Sequence, residues 1–282
     1  MFQIIEKEKL NEQMIRMTVE APFIAKKAQA GQFIILRIDE HGERIPLTIA
    51  DYDREAGTVT IIFQKVGKTT YALDELNEGD SILDFVGPLG VPTELGGYRK
   101  AAVIGGGAGC AIAYPQAKAL HAMGADVTMI AGFRNKDLII LEEEMKAVSS
   151  RLIMMTDDGS NGNTGFVTNA LQSEINAGAG YDLVIAIGPL PMMRAVAEVT
   201  RPYGIKTIIS MNSIMIDGTG MCGGCRLTVG GKTKFACVDG PDFDAHEVDF
   251  EEAIERSKMY RKQEQAALES HVCRLTGEKH HA

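Results

Sequence analysis

The sequence predicts two folded domains in series, an antiparallel β-barrel and then an α/β domain on a parallel sheet, with a small cysteine-bearing loop region at the C-terminal side. Three observations carry this. Up to about Gly97 the chain breaks into short runs rich in Ile, Val, Thr and Phe, separated by turn residues. From Tyr98 strand-like and helix-like patterns alternate, and after Met211 the alternation stops in a segment that holds Cys222, Cys225 and Cys237. The length of 282 residues suits about two domains.

Element by element, QFIILRID, RIPLTIADYD, TVTIIFQKV and DSILDFVGPLG read as barrel strands, with EHGE, REAG and NEGD as hairpin turns. TTYALDEL between two of them reads as one short helix. KAAVIGGG is a strand running into glycines, followed by a helix from about Ala111 to Met123. ADVTMIAGF is a strand, KDLIILEEEMKAV a helix, RLIMMTDD a strand and TNALQSEINAG a helix; YDLVIAIG, LPMMRAVAEVTRPYG and IKTIISM continue as strand, helix and strand. Such alternation argues for a sheet covered on both faces, with its ligand site beyond the carboxyl ends of the strands. The expected boundaries are a barrel over residues 1–97, a nucleotide-binding domain over 98–211, a cluster region over 212–250, and a charged terminal helix and tail over 251–282.

Composition narrows the function classes. With 45% hydrophobic and 24% charged residues the chain is an ordinary globular one, which excludes disorder, collagen and coiled coil. Lys plus Arg number 29 against 38 Asp plus Glu, a net charge of −9, so a phosphate backbone would be repelled and no nucleic-acid partner is expected. No apolar run approaches the roughly 18 residues of a membrane span, and the N-terminus alternates charged with apolar residues where a signal peptide would be uniformly apolar. A cytoplasmic location is expected. Five cysteines, three of them close together, read as metal ligation rather than disulfides.

Asp217-Gly-Thr-Gly-Met-Cys222-Gly-Gly-Cys225, with Cys237 further on, reproduces the ligand order of plant-type 2Fe-2S sites, except that Asp217 stands where the first cysteine would be. Asp217, Cys222, Cys225 and Cys237 are therefore the candidate metal ligands. The intervening glycines allow the backbone to wrap a compact cluster and aim amides at its sulfurs. The alternatives are a structural zinc, and a turn-forming Asp217 with solvent as the fourth ligand.

Arg44-Ile-Pro46-Leu47-Thr48 lies on a strand run, where alternation puts Arg44, Pro46 and Thr48 on one face toward a ligand. Val66-Gly67-Lys-Thr69-Thr70 precedes the short helix, a place where amides and Thr70 can hold a phosphate. An exposed Arg and a Thr helix cap are the plainer readings of each. Gly105-Gly106-Gly107-Ala-Gly109 joins a strand to a helix as a pyrophosphate loop does, or as a tight turn that only packs helix on strand. Gly188-Pro189 after the strand LVIAI forms a second loop at the same sheet edge. Arg134 and Asp157 follow neighbouring strands there, as dinucleotide contacts or as solvated loop charges. Cys110 reads as a small buried residue rather than a nucleophile, and Cys273, His280 and His281 as incidental.

In this order, a flavin-type barrel, a dinucleotide sheet and a C-terminal iron–sulfur loop resemble the ferredoxin reductase superfamily over nearly the whole chain. The segments Ala30-Gly-Gln-Phe33, R-x-P-L-T, VGKTT, GGG-x-G, GPLPMM and MIDGTGMCGGC resemble more narrowly the alpha (small) subunits of sulfide dehydrogenase, also called NADH-dependent reduced ferredoxin:NADP oxidoreductase. The resemblance implies FAD held by Arg44, Pro46, Leu47, Thr48, Gly67, Thr69 and Thr70. It implies NAD(H) or NADP(H) lined by Gly106, Gly107, Gly109, Gly188 and Pro189 with Arg134 and Asp157 nearby, and a 2Fe-2S cluster on Asp217, Cys222, Cys225 and Cys237. Hydride would pass between nicotinamide and flavin with no catalytic acid or base from the protein. The implied partner is a larger iron–sulfur flavoprotein subunit forming a heterodimer, with ferredoxin reached through the complex and electron bifurcation as its activity. The electron-transfer subunit of dihydroorotate dehydrogenase type B is the sister reading, with a cysteine in place of Asp217. From another class, a zinc-stabilised nucleotide-binding regulatory protein would use the same glycines and cysteines without turnover.

Overall fold

The computed structural model describes the backbone of residues 1–276 and side chains to His271; His280, His281 and the side chain of Cys273 lie outside the described residues. Seven antiparallel strands form the first sheet: β1 (Phe2–Lys9), β2 (Met14–Glu20), β3 (Phe33–Arg37), β4 (Ile45–Asp53), β5 (Thr58–Gln64), β6 (Ser81–Ile82) and β7 (Asp84–Leu89). Their order is β6-β1-β2-β5-β4-β3-β7. Only Leu83 separates β6 from β7, which stand at opposite ends of that order, so the sheet wraps into the expected near-closed barrel. Alternate residues such as Ile15, Met17, Val19, Ile34, Leu36, Ile49, Ile61 and Phe85 fill its interior. A one-turn helix α1 (Pro22–Ala25) covers one end, and TTYALDEL forms α2 (Lys68–Glu75), as expected.

The hairpin β1/β2 goes beyond the four strand runs read from the sequence. In β1 only Ile4 is buried, so the strand carries almost no apolar periodicity and is placed by its ladder to β2.

The second sheet takes β8 (Lys100–Gly106), β9 (Asp126–Phe133), β10 (Arg151–Thr156), β11 (Leu183–Ile187) and β12 (Lys206–Ser210), all parallel, in the order β10-β9-β8-β11-β12. Their connections contain α3 (Gly109–Ala122), α4 (Glu142–Ala147), α5 (Val167–Asn176) and α6 (Leu190–Thr200). The fully apolar β11, LVIAI, is buried at every position, as a central strand covered on both faces should be.

Three expectations are corrected here. The helix over KDLIILEEEMKAV is a single 3-10 turn, an extended stretch and the short α4. Ile140 and Leu141 are anchored in the core, and Leu141 sits in the left-handed region at φ 55°, which interrupts the helix. The region after β12 is more than loop: it adds the hairpin β13 (Arg226–Val229) and β14 (Lys232–Phe235), a turn α7 (Ala236–Asp239), and β15 (Asp242–Asp244). β15 pairs antiparallel with β12, so the parallel sheet carries one antiparallel edge strand that covers an otherwise open ladder. The single terminal helix is instead two, α8 (Phe250–Arg256) and α9 (Arg261–Thr276). Bonds from Lys258 N to Glu255 O and from Met259 N to Arg256 O tighten the chain and close α8.

The strand order reverses between β8 and β11, and the glycine loops after both open on the same side, facing barrel strand β4. Barrel and α/β domain are bridged by Arg16 to Glu144 at 3.0 Å and by Lys118 to Asp51 at 2.7 Å. Among the described residues no helix is long and apolar enough to cross a membrane.

Candidate cofactor cleft and cysteine loop

A cleft of about 1060 Å³ lies between the barrel and the carboxyl edge of the second sheet, at the upper end of the size range of small-molecule sites. Pro46, Leu47 and Thr48 of β4 form one wall, and Gly106, Gly107, Gly109, Gly188 and Pro189 form the other. Arg134 and Asp157, at the ends of β9 and β10, line it further along.

The glycines do different jobs. A Cβ on Gly109 would lie 2.2 Å from the Ile187 carbonyl oxygen, and one on Gly105 would lie 2.6 Å from Cys110 Cα, so both are needed for α3 to pack against its strands. Gly107, at φ 56°, would meet nothing within 4 Å. Its backbone is open to the cleft. Gly106 and Gly188 both face Met192, whose sulfur would stand 2.5 Å and 3.1 Å from the added Cβ atoms. The helix-packing reading of this motif therefore falls on Gly105 and Gly109, while Gly107 has open space where a side chain would be.

Arg44, Gly67, Thr69 and Thr70 are not part of the cleft lining. β4 begins at Ile45, so strand alternation does not reach Arg44; its Nε donates instead to the Ile216 carbonyl at 2.7 Å. The Thr70 hydroxyl accepts from the Val66 and Gly67 amides, both at 3.0 Å, and Thr69 donates to Glu43 at 2.9 Å. Beneath the cleft, Cys110 is fully enclosed, and burial pushes its thiol up to about 12, which removes it as a nucleophile.

Lining residues not singled out from the sequence include Ser210, the last residue of β12, and Pro241, just before β15. The rule that ligands sit beyond strand carboxyl ends identifies Ser210. Nothing local identifies Pro241, because β15 is too short to carry a pattern.

After β12 the chain enters the cysteine loop, with Gly218, Gly220 and Gly223 all at positive φ. A Cβ on Gly218 would stand 2.7 Å from Leu89 Cδ1 and 3.0 Å from Ile35 Cδ1, so the loop lies directly on barrel strands β3 and β7. The exposed Asp217 carboxylate accepts from the amides of Thr219 and Cys222, both at 2.7 Å. The Thr219 amide, and after it that of Cys222, hold this carboxyl below its ordinary range. Cys225 and Cys237 are buried with their sulfurs 3.3 Å apart, while Cys222 is exposed and its sulfur accepts from Gly224 N at 3.5 Å. Burial, then the neighbouring Cys225, pushes the Cys237 thiol up.

Among the described residues no three His, Cys, Asp or Glu side chains converge on one point. The Cys225 and Cys237 sulfurs stand as a pair and the Asp217 carboxylate accepts from the Cys222 backbone amide; three thiols and a carboxylate within one loop are a donor set that fits an iron–sulfur centre.

Residues 212–249 match the iron–sulfur cluster binding domain of dihydroorotate dehydrogenase B. A dihydroorotate dehydrogenase B (NAD(+)) electron transfer subunit homolog from Thermotoga maritima is 44% identical over 267 residues, covering 95% of this chain and 94% of its own. The electron transfer subunit from Geobacillus thermodenitrificans is 32% identical over 256 residues, covering 87% and 96%. A solved chain from work on flavin-based electron bifurcation by NADH-dependent reduced ferredoxin-NADP oxidoreductase is 43% identical, with a TM-score of 0.90, covering 96% of this chain and 97% of that one.

Barrel, switch-point cleft and cysteine loop together define an oxidoreductase subunit of the ferredoxin reductase type, one that works with flavin, pyridine nucleotide and an iron–sulfur centre. The chain belongs to the family of dihydroorotate dehydrogenase B-type electron-transfer subunits.

Proposed function

We propose that this chain carries electrons between NAD(H) or NADP(H), FAD and a 2Fe-2S cluster, and exchanges them with a larger iron–sulfur flavoprotein subunit in a cytoplasmic heterodimer. The complex would be a flavin-based electron-bifurcating NADH-dependent ferredoxin:NADP oxidoreductase, reaching ferredoxin through the larger subunit. The observation that carries this reading is the contact of one barrel with both redox regions. β4 walls the cleft opposite the glycine loops, and the same barrel receives the cysteine loop through Gly218 and through Arg44 on Ile216.

Pro46, Leu47 and Thr48 would hold the flavin ring system, with Arg44, Gly67, Thr69 and Thr70 serving its phosphates. The backbone at Gly106 and Gly107, with Gly188 and Pro189, would receive the pyridine nucleotide, Gly109 seating the helix behind it, and Arg134 and Asp157 would meet its outer end. Asp217, Cys222, Cys225 and Cys237 would ligate the cluster. Bound there, the flavin would supply the conversion between two-electron and one-electron chemistry, and the residues around it would supply alignment.

Asp217 favours this activity over dihydroorotate oxidation, because the sister subunits are expected to carry a cysteine at that position. Anaerobic purification should yield yellow-brown protein with one FAD and about two irons per chain, co-purifying with a larger subunit and reducing dyes with NADH. Colourless, iron-free protein overturns the reading, and a partner complex that oxidises dihydroorotate assigns the chain to the sister activity.

A further inference from the structure

Three guanidinium groups hold the cysteine loop, each by a backbone carbonyl. Arg44 Nε, from the barrel, donates to Ile216 O at 2.7 Å; Arg226 Nη1, at the start of β13, donates to Gly223 O at 3.3 Å; Arg256 Nη2, in the last turn of α8, donates to Gly224 O at 2.9 Å. The first carbonyl immediately precedes Asp217 and the other two lie between Cys222 and Cys225. Two bonds fix α8 where Arg256 can reach the loop. Asp249 caps the helix N-terminus by accepting from Glu252 N at 3.0 Å, and Glu252 accepts from Thr228 N at 2.9 Å, which docks the helix on β13.

Each carbonyl shares its peptide group with the next residue's amide. The group whose oxygen faces Arg226 carries the Gly224 N–H that donates to the Cys222 sulfur, and the group whose oxygen faces Arg256 carries the Cys225 N–H. A cation on the oxygen end draws electron density toward it and strengthens the N–H donor at the other end. Reduction adds negative charge to a cluster, and nearby cations and N–H···S bonds favour that charge. Arg256 is partly buried, so its charge is screened less than that of the exposed Arg226.

We propose that Arg256 and Arg226, with Arg44 completing the clamp on the barrel side, are positioning residues that raise the reduction potential of the centre held by the cysteine loop. This rests on the cluster reading above. It also gives the charged C-terminal helix a role in the redox chemistry.

The test is an EPR-monitored redox titration of the full chain, wild type against Arg256→Gln, Arg226→Gln and Arg256→Lys, with iron and flavin measured on each sample. Arg256→Gln should lower the reduced-to-oxidised ratio of the cluster at a fixed potential by tenfold or more, a shift of at least about 59 mV for a one-electron couple. Arg226→Gln should shift it in the same direction by less, and Arg256→Lys should recover part of the loss, with the flavin potential unmoved in all three. A wild-type potential and spectrum in both Gln variants, read on whatever cluster remains, overturns the proposal even where iron content falls, since that pattern marks a purely structural role. Wild-type protein that binds no iron overturns the cluster reading itself, which is a separate result.

Discussion

Asp242→Asn should stabilise the protein, and the gain should grow as pH rises. The Asp242 carboxylate is enclosed where three parts of the fold meet: it accepts from Thr93 in the segment joining the two domains and from Gln116 of α3 at 2.9 Å, and it neighbours Ser210 of β12. Burial pushes its carboxyl up from 3.8 to about 6, and hydrogen bonds from Thr93, Ser210 and Gln116 offset this only in part. Between those values the folded chain binds more protons than the unfolded one, so stability falls as pH rises through the window and stays lower above it. At about 1.4 kcal/mol per unit, the penalty is roughly 3 kcal/mol at pH 8 and about half that at pH 5. Asn places an N–H₂ where Oδ1 now lies without a hydrogen-bond partner, and Gln116 Oε1 likewise has none. With about 2 cal/mol/K of unfolding entropy per residue, the variant should melt about 5 °C higher at pH 8 and about 3 °C higher at pH 5. Scanning calorimetry of both proteins over this range reads the difference directly. A gap that is independent of pH, or that narrows as pH rises, refutes the reasoning.

Gly109→Ala drives a Cβ into the Ile187 carbonyl and should cost about 1–3 kcal/mol, read as a lower denaturant midpoint. Gly107→Ala, facing open space at φ 56°, should cost only about 1 kcal/mol of backbone strain while weakening nucleotide binding, which calorimetric titration separates from the first effect. Cys110 should resist alkylation in the native protein and react only after unfolding, since its thiol lies near 12; rapid labelling of folded protein in a mass spectrum contradicts this. Asp217→Cys should keep its iron but move the cluster's potential, and an unchanged potential and spectrum would show that Asp217 is not a ligand.

What the sequence determined by itself was local. TVTIIFQKV and LVIAI are strands because β-branched and aliphatic runs between turn residues suit a pleated surface, and both form strands in the folded chain. The loops at Gly105–Gly109 and Gly188 were legible because a strand ending in glycine before a helix is a short-range pattern, and the spacing from Asp217 to Cys237 that places them in one iron–sulfur-type domain is short-range for the same reason. β1, with one buried residue, and β15, with three residues in all, carry too little pattern to be read, and LIIL concealed the break before α4 because an apolar run fits helix and strand alike. Only the tertiary structure decided what those residues meet. It split the glycine motif between Gly109, which packs, and Gly107, which opens to the cleft. It sent Arg44 to Ile216, 172 positions away, and brought Gln116 to Asp242, 126 positions away. Periodicity and spacing depend on neighbours along the chain; these contacts depend on how a barrel, a sheet and a loop are stacked, and that arrangement is set by the burial of all three surfaces together.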